Sequence, residues 1–158
     1  MRQLLIGGLI ASLGLWGLPV EAQQVSKTQV EALVEALRLA APKTNIKNDG
    51  LYSDWQITPE IIPSWSKQCI GRELTPTQLE TSPATTRTIV SCIMGRELQK
   101  QYRDNNETIA VSRAACWWMT GNATGCQSGT TAAYTQKVLN FYKQASSKPK
   151  PQAAASKN

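Results

Sequence analysis

The sequence predicts one mainly α-helical domain with at most a short extended segment, stabilised by disulfide bonds. Three observations predict this fold class. Apolar residues recur at helical spacing in several segments. Helix starts are marked by a capping-box pattern and by Ser-Pro or Thr-Pro pairs. Four cysteines follow a predicted export signal. The 158 residues are enough for one domain with a modest core, which we place at residues 23–144.

The N-terminal segment, residues 1–22, has the pattern of a secretory signal peptide. A basic Arg2 precedes an apolar run over residues 4–18, and Ala22 is a small residue at a fitting cleavage site. A membrane anchor is the alternative, but the run is short for a span of ~20 residues and no basic stop-transfer cluster follows it. We therefore expect a secreted or periplasmic protein that starts near Gln23 and has no stable membrane span after the signal is removed.

The first predicted helix begins after Ser26, with Gln29 three residues on as in a capping box, and Pro42 ends it. Residues 43–57 are rich in turn formers and contain at most a short extended piece at 51–57. Five more helix starts follow, at Thr58-Pro59, Thr75-Pro76, Ser82-Pro83, Asn105-Asn106-Glu107 and Thr130 or Thr131.

These later helices differ in their predicted character. The helix after Thr58-Pro59 contains a second proline and should be broken or restarted, and the one after Thr75-Pro76 should be a single turn. The helix that follows Asn106 contains "IAVSRAACWWM", which is apolar on most faces, so we expect it to be central and buried. Residues 145–158 have the composition of a disordered basic tail.

The four cysteines, Cys69, Cys92, Cys116 and Cys126, allow three disulfide pairings. We predict Cys69 with Cys92, because they lie on helices joined by a short connector. We predict Cys116 with Cys126, because a glycine-rich loop can bring the chain back. The sequence has no histidine and no Cys-x-x-Cys, so zinc, haem attachment, His-based triads and thioredoxin-like chemistry have no support. No cofactor is expected.

The net charge of +6 is concentrated in the last third of the chain, where six Lys/Arg and no acid follow Glu107. A basic surface outside the cytoplasm favours an anionic partner such as a wall polymer or lipid headgroups. Charge that only keeps the protein soluble is an equally good interpretation. We expect no nucleic-acid partner.

Residues 50–83, "GLYSDWQITPEIIPSWSKQCIGRELTPTQLETSP", resemble part of the lysozyme-like lytic transglycosylase domains, in particular their goose-type and phage-tail relatives. Those domains carry a Gly-x-Tyr-Gln-Ile/Val segment, an "NIPxWT" helix and a "GRxLTPxQFLxxP" segment. Farther on, "RAACWWMTG" and "TAAYTQKVLNFY" are similar to the family's "AAxWFSG" and "YVxKVLxxY" elements. The resemblance covers about residues 30–143 and implies a lysozyme-like helical fold.

The resemblance implies a protein that acts on the sugar backbone of peptidoglycan, which the family cleaves with a glutamate at the end of its first helix. Such a carboxyl must stay protonated to donate to the glycosidic oxygen. This sequence has Ala41-Pro42-Lys43 where relatives have an "ESG"-like triplet, so we expect lytic activity to be reduced or absent. Glu35, on the polar side of the first helix, and Asp54, in the turn-rich segment, are weak substitute candidates for the catalytic acid.

Three residues of the turn-rich segment, Tyr52, Trp55 and Gln56, are the expected sugar-binding side chains, with both rings exposed. Trp65, Trp117 and Trp118 are more typical of a core, although one of the adjacent pair should point elsewhere. The expected ligand is peptidoglycan or another anionic envelope polymer. The alternative is a small disulfide-bonded helical protein that binds another envelope protein and not glycan.

Overall fold

A computed structural model describes residues 24–44 and 49–147 of the chain. The predicted signal peptide and all but the first residues of the predicted tail lie outside this part. Within it the protein is mainly α-helical and carries two disulfides, which confirms the predicted fold class. The helices are α1 (Lys27–Ala40), α2 (Ile62–Ile70), α3 (Pro76–Glu80), α4 (Pro83–Tyr102), α5 (Glu107–Thr120) and α6 (Gly129–Ser146), with a 3₁₀ turn at Pro59–Ile61. None of these helices has the length and apolarity needed to cross a membrane.

Helix α1 begins with the predicted capping box. The Ser26 hydroxyl accepts the Gln29 backbone N–H at 3.2 Å, and the Gln29 side-chain oxygen accepts the Ser26 N–H at 2.8 Å. The helix ends where Ala41 turns to an extended ψ of 137°, as expected of a residue that precedes proline. One face of α1 is buried against α4 and α6, through Leu33, Val34, Ala36, Leu37 and Ala40.

The central helix is therefore α1, and the prediction that α5 is buried on most faces is wrong. Helix α5 buries small side chains such as Ala110, Ala114 and Ala115, but Ile109 and Met119 are 43% and 40% exposed. Its three alanines and Val111 let α5 approach its neighbours closely, while Trp117 and Trp118 pack partly against the core and Ile109 and Met119 are exposed.

Both predicted disulfides are confirmed. Cys69 at the end of α2 bonds to Cys92 in α4, with 5.9 Å between their Cα atoms. Cys116 in α5 bonds to Cys126 in the glycine-rich loop, with 5.8 Å between Cα atoms. Gly121 allows the return of that loop, because its φ of 74° is in the left-handed region that ends helices.

Between α1 and α2 lies a tight loop over residues 49–57. Tyr52 and Ile57 form an antiparallel bridge, each donating its N–H to the other's carbonyl at 2.9 Å. This bridge is the short extended piece that the sequence predicted. It closes a four-residue turn in which Ser53 and Gln56 have positive φ values of 67° and 56°. The turn orients the side chains of the loop that are discussed below, among them Tyr52, Trp55 and Gln56.

Candidate functional site

A cleft of about 680 Å³, here called the polar cleft, lies at the C-terminal end of α1. One side is the end of α1, including Ala41, and the other is the 49–57 loop with Glu80 of α3. Its volume is typical of a small-molecule or oligomer-binding site. Five charged side chains line it: Arg38, Lys43, Asp49, Asp54 and Glu80.

Tyr52 and Gln56 line the polar cleft as predicted, and both are half-buried. The Ser53 backbone N–H donates to the Glu80 carboxylate, which attaches the loop to α3. The Gln56 backbone N–H donates to the Ser53 carbonyl at 3.0 Å. Non-glycine residues adopt positive φ only where surrounding contacts compensate, so this loop is held in a specific shape.

Trp55 does not line the cleft, and the prediction that its ring is exposed is wrong. The ring is only 3% exposed, and its indole N–H donates to the carbonyl of Val34 in α1 at 2.9 Å. The Arg87 guanidinium lies over the other side of the ring, 5.4 Å from its centroid. Trp55 and Ile57 both point into the core, while Gln56 between them turns to a φ of 56° and lines the cleft. Trp55 therefore anchors the loop to α1.

Glu35, a candidate acid, is held outside the polar cleft by two guanidinium groups. Its carboxylate accepts from Arg38 at 2.6 Å and from Arg87 at 2.7 Å, and it is not among the lining residues. The hydrogen bond from Arg38, and then that from Arg87, lower the pKa of Glu35 to about 2 against the opposing effect of burial. Glu35 is thus ionised near neutral pH and cannot serve as a proton donor.

The carboxylates that do line the cleft each have a partner. Asp54 lies 3.5 Å from Arg38, with 69% of its side chain exposed. Asp49 accepts from the Thr44 hydroxyl and from the Leu51 N–H, and these hydrogen bonds, the first above all, lower its pKa. Glu80 accepts from the loop as described above. Asp54 and Glu80 are exposed and Asp49 is half-buried, so none of the three carboxylates lies in the apolar interior.

A second cleft, here called the aromatic cleft, has a volume of about 410 Å³ and lies between α2 and α5. Trp65 of α2 stacks with Trp117 of α5, with ring centroids 6.2 Å apart and planes 17° apart. The Trp65 ring also contacts Trp118, at 5.6 Å and 42°. All three rings are half-buried, whereas the sequence favoured a core position for them. Both members of the adjacent pair reach Trp65, so neither points away.

The two clefts meet at Gln56, which lines both. Its side-chain N–H donates weakly to the Ser53 carbonyl at 3.3 Å. Its carbonyl oxygen Oε1 is buried and has no hydrogen-bond partner among the described residues. A buried acceptor without a donor is costly, by roughly 1–3 kcal/mol, and such groups concentrate at sites where a ligand completes the structure.

Sequence reasoning missed Arg38 and Glu80 as cleft residues and the aromatic cleft as a unit. Ser53 and Glu80 meet across 27 residues, so no local pattern marks their contact. Among residues 24–44 and 49–147, no three His, Cys, Asp or Glu side chains come together as a metal site would require. No protein-family model, curated protein or solved structure matches the chain.

Proposed function

We propose that the protein is a secreted or periplasmic, lysozyme-like protein that binds the glycan strands of peptidoglycan in the polar cleft and cleaves them slowly or not at all. The observation that carries this proposal is the position of Ala41. It lies on the wall of the polar cleft, at the end of α1, where the resemblance would put the catalytic glutamate.

Cleavage of a glycosidic bond needs a protonated carboxyl within hydrogen-bond reach of the leaving oxygen. Ala41 has no ionisable group. The carboxylate of Glu35 is bound by Arg38 and Arg87, and its low pKa keeps the proton off. Asp54 is solvated and paired with Arg38. These groups can bind a sugar or hold the loop, but none is placed as a general acid.

The lining of the polar cleft suits a neutral polyhydroxyl ligand better than a polyanion. Among the residues that the structure describes, two bases, Arg38 and Lys43, face three acids, Asp49, Asp54 and Glu80, so this lining carries no excess of positive charge. Tyr52 offers a ring face and a hydroxyl, and Gln56 offers an amide. Sugar hydroxyl and acetamido groups can pair with such mixed donors and acceptors.

The described basic side chains of the last third, Arg113, Lys137 and Lys143, lie outside the lining of the polar cleft. Among them, Arg113 and Lys143 border other cavities, and Lys137 donates to the Ala40 carbonyl at 3.3 Å. Attraction of these bases to a negatively charged wall would add a salt-sensitive contribution, because exposed charges are screened beyond about 8 Å at physiological ionic strength. Binding in the cleft should depend on salt much less.

A second candidate function is docking to another envelope protein. The aromatic cleft favours it, because half-buried tryptophans beside an exposed methionine are typical of the centre of a protein interface. On this alternative the protein would not bind glycan.

Sedimentation with purified peptidoglycan sacculi tests the proposal. The chain from Gln23 onward should co-sediment at about 0.15 M salt, and soluble glycan strands should release it. Tyr52→Ala should weaken retention at least fivefold. The matched control is Leu39→Ala, which removes an exposed apolar side chain of α1 outside the cleft. Retention that Tyr52→Ala leaves unchanged, or that disappears on moderate addition of salt, would contradict glycan binding in the cleft.

A further inference from the structure

The aromatic cleft leaves apolar surface exposed that the protein could otherwise bury. A tryptophan buries about 150–250 Å² when it is fully packed. Here Trp65, Trp117 and Trp118 are only half-buried and surround one opening, beside Met119, which is 40% exposed. Exposed apolar surface grouped in a concave site usually marks a binding site.

Both disulfides adjoin the walls of this cleft. Cys116 directly precedes Trp117 and is bonded to Cys126, while Cys69 lies one helical turn after Trp65 and is bonded to Cys92. The rings therefore stand on covalently braced segments from α2 and α5. Such bracing lowers the ordering cost of binding, because the rings are already in place before a ligand arrives.

The chemistry of the lining indicates a neutral ligand with one apolar face. Within residues 24–44 and 49–147, no charged side chain lines the aromatic cleft, whereas five line the polar cleft. Polar groups are present at its edge, in Gln56 and Thr58. A pyranose ring matches this lining, since its C–H face packs on an indole and its hydroxyls remain at the polar edge.

Gln56 connects this cleft to the polar cleft. It lines both, its backbone is in the left-handed region at φ 56°, and its Oε1 lacks a hydrogen-bond donor within the described residues. Strained backbone that persists in a folded protein is most often found at functional positions. Because Oε1 is buried, the Gln56 side chain would have to turn toward the junction before a hydroxyl or amide N–H of a sugar could supply the missing donor.

We propose that the aromatic cleft is a second saccharide subsite, so that one glycan strand runs from the polar cleft past Gln56 and stacks a neutral sugar ring on the Trp117–Trp118 wall. This inference rests on the proposed function. It adds that the protein recognises a strand long enough to occupy both clefts. The affinity of the protein should rise with the number of linked sugars until both clefts are filled.

The test is calorimetric titration with β-1,4-linked N-acetylglucosamine oligomers of two to six sugars, which are neutral and of defined length. The native protein should bind the longest oligomer at least tenfold more tightly than the disaccharide. Trp118→Ala should remove that gain and leave disaccharide affinity unchanged. Ile109→Ala is the matched control, because it truncates an exposed side chain of the same helix outside the cleft.

A second variant covers the case in which Trp118→Ala does not fold. Met119→Glu places a charge at the exposed rim without removing a ring, and it should also abolish the gain for long oligomers. Equal affinity for all lengths, unchanged by either variant, would overturn the second subsite while leaving glycan binding in the polar cleft intact. Absence of binding to any oligomer and to sacculi would instead overturn the proposed function itself. If Trp118→Ala or Met119→Glu lost binding to another envelope protein but still bound long oligomers more tightly than the disaccharide, the aromatic cleft would be a protein-docking site, which would also contradict the sugar subsite.

Discussion

The two clefts that meet at Gln56 differ in what holds their walls. The polar cleft is shaped by hydrogen bonds and ion pairs, such as Arg38 to Asp54 and Glu80 to the Ser53 N–H. The aromatic cleft is shaped by ring contacts and adjoins both disulfides. Polar pairs at a solvated surface each contribute little, whereas packed rings and cross-links contribute several kcal/mol. The polar cleft should therefore tolerate changes of its side chains that the aromatic cleft would not.

This difference bears on chemistry as well as stability. A carboxyl acts as an acid at neutral pH only where its surroundings disfavour its charge. In and beside the polar cleft the surroundings favour charge, through Arg38 and Arg87 on Glu35, which lies outside the cleft, and through Thr44 on Asp49, which lines it. Loss of a proton donor at position 41 would thus leave the cleft well formed and able to bind.

The largest expected effect concerns Trp55, which does not line the polar cleft but anchors the loop that forms one of its walls. Trp55→Ala should lower the free energy of unfolding by about 3–5 kcal/mol, because it removes a buried ring and leaves the Val34 carbonyl without its donor. Tyr52→Ala, on the same loop but half-buried, should cost clearly less. Urea unfolding followed by circular dichroism measures both. Similar losses for the two variants would mean that Trp55 does not anchor the loop.

Removing the disulfides should distinguish the two clefts further. The double variant Cys69→Ala/Cys92→Ala opens a loop of 23 residues and should cost about 3.5 kcal/mol, against about 3 kcal/mol for Cys116→Ala/Cys126→Ala, which opens one of 10. Both should weaken binding of long oligomers more than binding of the disaccharide. Equal loss of affinity for short and long oligomers would show that the cross-links support both clefts alike.

A smaller effect is expected from the ion pairs beside the polar cleft. The pKa of Glu35 is lower in the folded protein than in the unfolded chain, where it is near 4.5. The contribution of Glu35 to the free energy of unfolding is therefore complete above about pH 4.5 and is lost as the pH falls through about 2. Because the side chain is 30% exposed and partly screened, Glu35→Gln should cost about 1–2 kcal/mol at pH 7.

The pH dependence of that difference is the decisive measurement. The free energies of unfolding of the native protein and Glu35→Gln should converge as the pH is lowered from 5 toward 2. Asp54→Asn is the control, since its exposed pair with Arg38 should contribute less than about 1 kcal/mol at any pH. A difference between native protein and Glu35→Gln that does not change with pH would contradict the assigned ion pairs.

The smallest expected effect is a gain of activity. Ala41 is 7% exposed on the wall of the polar cleft, so a carboxyl introduced by Ala41→Glu would be partly desolvated and its pKa raised. We expect slow release of muropeptides from sacculi by this variant, none by Ala41→Gln, and little or none by the native protein. Strong release by the native protein, lost in Glu35→Gln or Asp54→Asn, would show that the acid lies elsewhere.

Sequence reasoning was most successful where structure depends on near neighbours. Ser26 with Gln29 and Thr75 with Pro76 predict helix starts because each signal lies within the first residues of its helix, and the structure adds a capping box from Thr75 to Gln78. The disulfides were predictable because short connectors limit where a cysteine can reach. The burial of Trp55 was not predictable, since it depends on a carbonyl in α1, 21 residues earlier.

The aromatic cleft shows the same limit on a larger scale. Trp65 and Trp117 meet because α2 and α5 both pack against α4, and their spacing in sequence gives no sign of contact. Apolar side chains on a helix predict burial in general, but which of them stop at a cleft is decided by the packing of whole helices.

The placement of the tryptophans also gives the two clefts different optical behaviour. After residue 23 the chain has four indoles, one buried beneath the polar cleft and three around the aromatic cleft. The three neighbouring rings can exchange excitation and are open to a soluble quencher, whereas Trp55 is shielded beneath Arg87. A ligand stacked on the rings would protect most of the emission from quenching, and one confined to Tyr52 would not. Intrinsic fluorescence can therefore report which cleft is occupied without any added label.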